Sequence, residues 1–310
     1  MITYILLSII GIFLLSFGAN YLVKSTLGLG IKLNINKAFL GIVVVGFGTS
    51  LPELLTSIDA AIKGYLSVSY GNIIGSNIFN VLFILGISIV VSHIKLKSVG
   101  KLDLIFLATS NIIFIILLFT IGINITSALI LLMVIFLNIY FSYMSHKKSF
   151  SISVNKDEYY NKYWQILFFL VVGFAGLFFG SHLLVNNAIA IANIFNISEK
   201  IIGITIVAVG TSLPELFTSV VASLKKENDI AFYNILGSNI FNVTFIPGIT
   251  GLITSFNQGI IFINDSFFYM LALACLLFIP LFFKNKPVHR SFGFFLLFSY
   301  FTYCMLLFYK

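Results

Sequence analysis

The chain is short of charge. Asp and Glu number 10 and Lys and Arg 18 among 310 residues, 9% in all, where a soluble domain carries about 25%. With 59% apolar residues and a mean hydropathy of +1.08, that scarcity points to an integral membrane protein with little mass outside the bilayer. Cysteine is almost missing. Cys275 and Cys304 both lie in apolar runs, which reads as two inert thiols and excludes a disulfide framework. There is no His-rich metal motif, no nucleophile elbow and no phosphate loop, so neither an enzyme nor a bound cofactor is expected. The net charge of +8 sits in short loops and forms no patch interleaved with aromatics, so nucleic acid is not an expected partner. The first apolar run lacks a basic leader and a small-residue cleavage site, and reads as a membrane helix.

What is present is said twice. Residues 41–87 and 203–249 align without a gap at an offset of 162, with 27 of 47 positions identical. Both copies set Gly-Thr-Ser-Leu-Pro-Glu in an apolar span and follow it with Gly-Ser-Asn-Ile-Phe-Asn. An acid and a helix-breaking Pro in mid-membrane are both costly, and here both recur in register.

Apolar runs of about 20 residues predict ten helices, near 2–22, 38–62, 69–92, 103–121, 124–144, 164–187, 200–224, 230–254, 262–283 and 290–309. The offset extends beyond the motifs: Phe17-Gly18 matches Phe179-Gly180, and Asp103 matches Asp265. Each half is then five helices, 1–144 and 164–310, joined by a loop at 145–163. An odd number of crossings turns the second half over, so the halves are expected to be inverted repeats, the plan of many secondary transporters. Fifteen Lys and Arg residues fall on one face of this arrangement and only Lys63, Lys200 and Lys310 on the other. By the positive-inside rule the rich face and the 145–163 loop are cytoplasmic, and both termini are outside. Tyr159, Tyr160, Tyr163 and Trp164 read as an interfacial belt.

Glu53 and Glu215 are expected near mid-membrane, approached from opposite sides and brought together by the inverted axis. Two adjacent carboxylates repel unless a cation or proton lies between them. Pro52 and Pro214 have no amide hydrogen for the carbonyls of Gly48 and Gly210, which frees oxygens there. Thr49, Ser50, Thr211 and Ser212 add hydroxyls; Ser76, Asn80, Ser238 and Asn242 add more oxygen, with Gly75 and Gly237 allowing close helix approach. This is a hard-oxygen set without Cys or His, suited to Ca²⁺ and Na⁺ rather than Zn²⁺ or copper. Two acids balance one Ca²⁺ or two Na⁺, and competition for one site is the simplest basis of exchange. Asp59 and Lys63 read as an i,i+4 pair, His182 as a packing hydrogen bonder, and Asp103 and Asp265 as helix-start residues serving a cap or the dipole.

At these residues the sequence resembles the sodium/calcium exchanger family of the cation/Ca²⁺ antiporter superfamily, in its compact prokaryotic form. The resemblance covers nearly the whole chain and implies Ca²⁺/Na⁺ antiport by alternating access in a cell membrane, with the first and sixth helices sliding against a core that holds the ions. It implies Thr49, Ser50, Glu53, Ser76 and Asn80, with Thr211, Ser212, Glu215, Ser238 and Asn242, as ion ligands, and adds the carbonyls of Gly46 and Ala208. Some members carry Asp at the end of the second Gly-Ser-Asn motif; here both ends are Asn, leaving two core carboxylates instead of three. The expected partners are Ca²⁺, Na⁺ and the bilayer, with no obligate protein partner evident. Proton-coupled exchange of Ca²⁺ or another cation is the nearest alternative, and a cation channel a remote one.

Overall fold

A computed structural model describes residues 1–92, 94, 96, 99–146, 159–195, 208–255, 259–283 and 286–308. Among them there is no strand, as a bilayer demands of an open chain: without water, every backbone group must be paired within its own helix. In chain order the helices are α1 (Ile2–Leu33), the bent pair α2 (Lys37–Thr49) and α3 (Leu51–Ile62), α4 (Leu66–Ser92), α5 (Lys101–Thr120), α6 (Ile125–His146), α7 (Tyr163–Ile194), α8 (Ala208–Thr211), α9 (Leu213–Leu224), α10 (Asn228–Ile253), α11 (Gly259–Phe282) and α12 (Arg290–Phe308). Among the described residues eight helices are long and apolar enough to span a membrane, and the α2–α3 pair, bent by 42°, makes a ninth. The predicted seventh span includes 200–207, outside the described residues; its described part is α8 and α9. Most of the predicted 145–163 loop also lies outside them.

Two predicted ends are corrected. The first and sixth spans were expected to stop at 22 and 187, yet α1 and α7 run 32 residues each, to Leu33 and Ile194. At 1.5 Å per residue each is about 48 Å long, well beyond a hydrocarbon core of about 30 Å, so both must tilt or project. A hydropathy window stops at Lys24, but a Lys stem can lie along the helix while its ammonium reaches water. Lys24 and Lys32, expected in a loop, are therefore helical. Asn34 ends α1 in the left-handed region, at φ 53°.

α1 and α7 lie backbone against backbone. A Cβ on Gly18 would come within 2.7 Å of the Leu177 nitrogen and 2.8 Å of the Gly173 oxygen. Without a hydrophobic drive between helices in lipid, such small-residue contact supplies the packing. At the centre stand α4 and α10, which carry the two Gly-Ser-Asn motifs. Their most apolar windows are 78% and 83% buried, against 44% or less for the other spanning helices. The motifs are thus held by the most enclosed elements of the molecule, while α5, α6, α11 and α12 face lipid on one side.

Asp103 and Asp265 link helices rather than cap them. No side chain caps α5. The buried Asp103 carboxylate instead takes the His146 ring at 3.0 Å and the Tyr233 hydroxyl at 3.1 Å, joining α5, α6 and α10. Asp265 lies past the first turn of α11 and accepts from Tyr303 at 3.4 Å. Both contacts are long-range, which is why local reading missed them.

Candidate functional site

Each Gly-Thr-Ser-Leu-Pro-Glu motif breaks its helix at the Ser. Ser50 has φ −81°, ψ 5° and Ser212 φ −91°, ψ 9°, the sparsely populated bridge region frequented by site residues. One residue later a new helix starts, with Pro52 or Pro214 in its first turn, where a missing N–H costs nothing. Glu53 and Glu215 also sit in those first turns, where the positive end of the helix dipole favours a carboxylate.

The two breaks interlock. Ser50 donates to Glu215 Oε1 at 3.2 Å, and Ser212 donates to Glu53 Oε1 at 2.7 Å. Each acid is thus held by the Ser that precedes the other acid, and both are fully buried. Thr49 meets Ser238 at 3.4 Å, and Ser212, its own hydrogen given to Glu53, meets the Ser76 hydroxyl as acceptor at 3.2 Å. The Gly46 carbonyl accepts from the Ser50 amide at 3.2 Å and from Ser238 at 3.3 Å. α2 and α10 come close enough for this because Gly237 has no side chain: a Cβ there would lie 2.6 Å from the Ile42 oxygen. The position matching Ile42 for Gly75 is residue 204, outside the described residues.

Asn80 and Asn242 are fully buried on the central helices. Among the described residues, both atoms of the Asn80 amide, Asn242 Oδ1, Glu53 Oε2 and Glu215 Oε2 are buried without a hydrogen-bond partner. An unsatisfied buried polar atom costs about 1–3 kcal/mol, and more when charged. Unpartnered carboxylate and amide oxygens on both motif pairs fit a cation with several oxygen ligands. Thr211 closes α8 and reaches Asn72 at 3.2 Å; Ala208 opens that helix.

Comparison with known proteins gives the family. Residues 3–144 and 165–309 match the family described as sodium/calcium exchanger protein. The chain belongs to that family. It is 32% identical to CaxA of Alkalimonas amylolytica, named for an antiporter, across 97% of both chains. It is 29% identical to the sodium/calcium exchanger MaX1 of Methanosarcina acetivorans across 98% of both. The structure superposes on the sodium-calcium exchanger NCX_Mj, soaked with Na⁺ and Ca²⁺, with a TM-score of 0.82 at 26% identity over 97% of each chain.

In this member of the family, sequence reasoning missed Asn72 and Asn234. Asn72 donates to the Glu53 carbonyl and to Ser57, both at 2.8 Å; Asn234 donates to the Glu215 carbonyl at 3.4 Å and to Ser219 at 2.9 Å. They fix the main chain beneath each acid. Their signal was available: both Asn and both Ser are identical across the repeat. Also unforeseen were π-helical stretches at Gly41–Gly46 and Phe79–Leu85, a feature common at functional sites. Asn80 lies on the second of these, whereas Asn242 is on α-helical backbone.

The Gly210 carbonyl, expected to be free, is not. Ser181 of α7 donates to it at 2.6 Å. An orphaned carbonyl in a dry interior is expensive, and the nearest hydroxyl takes it; the matching position on α1 is Ala19. Ser181 and Gly210 help line a cavity of about 340 Å³ that runs from Pro52, beside Glu53, along Thr56 and His182 to Asp59. Asp59 is exposed and pairs with Lys63 at 2.7 Å, and His182 meets Asn186 at 2.9 Å. On the other side of the breaks, Leu15, Ala19, Leu22 and Val23 of α1 pack with Val45 and Ala222 at 0% exposure.

Proposed function

We propose that this protein is an antiporter that exchanges Ca²⁺ for Na⁺ by alternating access across a cell membrane. Ten spans form two inverted five-helix repeats, 1–144 and 164–310, with both termini outside and the 145–163 loop in the cytoplasm. Ions bind between the two breaks. Glu53 and Glu215 supply charge; the oxygens of Thr49, Ser50, Ser76, Asn80, Thr211, Ser212, Ser238 and Asn242, with the carbonyls of Gly46 and Ala208, complete the shell.

The observation that carries this reading is the reciprocal bonding of Ser50 to Glu215 and Ser212 to Glu53, with the second oxygen of each acid buried and without a partner among the described residues. Two buried carboxylates are costly without compensation. One Ca²⁺ or two Na⁺ offset the charge, so the loaded site can cross between its two orientations and the unloaded one is held back. That penalty couples the two fluxes. The hydroxyls bonded to carboxylates here can rotate to turn their oxygens to a cation. The cavity from Pro52 to Asp59, with tight apolar packing on the α1 side, supports access from the outer face in this conformation.

Ca²⁺ uptake by proteoliposomes tests the reading. Wild-type protein should take up Ca²⁺ in exchange for internal Na⁺. Glu53→Gln and Glu215→Gln should each lose transport while eluting as folded protein, since removing one buried charged partner costs about 2–5 kcal/mol. Full transport by either variant would sink the assignment.

A further inference from the structure

The two site amides look equivalent in sequence and are not equivalent in the fold. A cation needs an amide's oxygen; the same side chain turned over offers it an N–H dipole and repels it. Orientation therefore decides whether a buried Asn is a ligand or an obstacle.

For Asn242 the orientation follows from groups that can only accept. Asn77 donates through Nδ2 to the main-chain carbonyl of Asn239 at 3.3 Å, and a carbonyl has no hydrogen to give. Asn77 Oδ1 therefore faces Asn242, which must present Nδ2, at 3.1 Å. A second anchor lies behind. Asn111 donates to the Leu107 carbonyl at 2.7 Å, so its oxygen faces out and accepts from the Tyr269 hydroxyl. Having given its hydrogen to Asn111, Tyr269 is left to accept, and the Asn77 amide bonds to it. Asn77, Asn111, Asn239 and Tyr269 enclose a cavity of only about 10 Å³, so the relay is closely packed. All its members are at least 96% buried, and its free end is Asn242 Oδ1, which has no partner among the described residues.

The matching relay for Asn80 is missing. Its first member would be Asn239, whose side chain bonds back to Ile235 at 2.8 Å on its own helix. The residues matching Tyr269 and Asn111 are Leu107 and Leu273. Among the described residues Asn80 has no partner on either amide atom.

We infer that Asn77 is a positioning residue that turns the Asn242 oxygen toward Glu53 and Glu215, making Asn242 the preset neutral ligand of the cation site and Asn80 the adjustable one. This rests on the ion-site reading above and deepens it. Outer partners of ligands typically govern about 10- to 100-fold in metal affinity, and Asn77 belongs in that class.

The experiment compares wild type, Asn77→Ala, Asn239→Ala, Asn242→Asp and the Asn77→Ala/Asn242→Asp double variant. Each is purified whole and dialysed to equilibrium against radioactive Ca²⁺; KM and maximal uptake rate are measured in vesicles. Asn77→Ala should weaken Ca²⁺ binding about 10-fold or more, raising KM with the maximal rate and melting temperature little changed. Asn239→Ala keeps the accepting carbonyl and should lose less. A carboxylate has no wrong face, so in the Asn242→Asp background the loss of Asn77 should cost less than about a third of its effect alone. Tyr269→Phe removes one anchor and gives the same pattern at smaller amplitude, which serves if Asn77→Ala does not fold. An equal loss in both backgrounds, or no loss in a wild type that binds Ca²⁺, overturns the role of Asn77 alone. A wild type that binds no Ca²⁺ overturns the ion-site reading and this inference with it.

Discussion

Replacing Gly237 by Ala places one methyl group at the closest helix contact of the site. That Cβ would lie 2.6 Å from the Ile42 oxygen and 2.7 Å from the Ile42 Cα. Carbon atoms settle about 3.5–4.0 Å apart, so α2 must retreat from α10 by roughly 0.8 Å. Both colliding atoms are main chain, so no side chain can rotate away. Ile42 lies one turn before Gly46, and the shift carries Gly46 and Thr49 with it. The Gly46–Ser238 and Thr49–Ser238 separations, 3.3 Å and 3.4 Å, then pass beyond hydrogen-bond reach. Overpacking of this kind costs about 1–3 kcal/mol. If the cost falls on the loaded site, Ca²⁺ affinity drops roughly 5- to 150-fold. Ca²⁺ uptake against concentration in proteoliposomes measures it, with the melting temperature as a check on folding. Gly71→Ala, at an exposed position of α4 where a Cβ meets nothing within 4 Å among the described residues, is the control and should leave affinity alone. A folded Gly237→Ala protein with wild-type affinity would refute the claim that the α2–α10 contact sets the site.

Three other outcomes are expected. Ser50→Ala and Ser212→Ala each remove a hydrogen bond to a buried carboxylate, worth about 1.5–3 kcal/mol, so each should lower Ca²⁺ affinity by roughly tenfold or more; an unchanged KM in both would break the interlock argument. Ser181→Ala strands the Gly210 carbonyl and should destabilise the protein by about 1–3 kcal/mol, read as a lower melting temperature that Ser181→Thr restores in part; an unchanged melting temperature would mean that the bond contributes nothing. Thr56→Cys, on the wall of the 340 Å³ cavity, should react from the outer face of intact cells with a membrane-impermeant thiol reagent, and labelling only after permeabilisation would reverse the orientation.

Much of the site could be read from residue order, and the reason is the repeat. Glu53 and Glu215, with Ser50 and Ser212, stood out because each pair recurs in register, and the fold brings them into contact across 159 and 165 residues of sequence separation. The helix breaks were legible because Pro52 and Pro214 leave few alternatives. Asn72 and Asn234 carried the same repeat signal and were passed over, since an Asn on an apolar helix does not say whether it faces a main-chain carbonyl. Features that break the symmetry were not legible. Ser181 caps Gly210 while its counterpart is Ala19, and Tyr269 anchors Asn77 where Leu107 stands opposite. The lengths of α1 and α7 were hidden because hydropathy records where polar residues begin, Lys24 in one and Asn186-Asn187 in the other, and a helix can continue beyond them. The meeting of Asp103, His146 and Tyr233 depends on three helices at once, which no local window contains.

The central claim is that Ca²⁺ and Na⁺ compete for one carboxylate site and that the gradient of one drives the other. The direct measurement is Ca²⁺ uptake by proteoliposomes loaded with Na⁺ and diluted into Na⁺-free buffer, beside vesicles of the same batch carrying only a pH gradient. Uptake driven by internal Na⁺ and absent with the pH gradient alone is the result the account expects. Uptake driven by the pH gradient and indifferent to Na⁺ would contradict Na⁺ coupling and make the protein a proton-coupled exchanger.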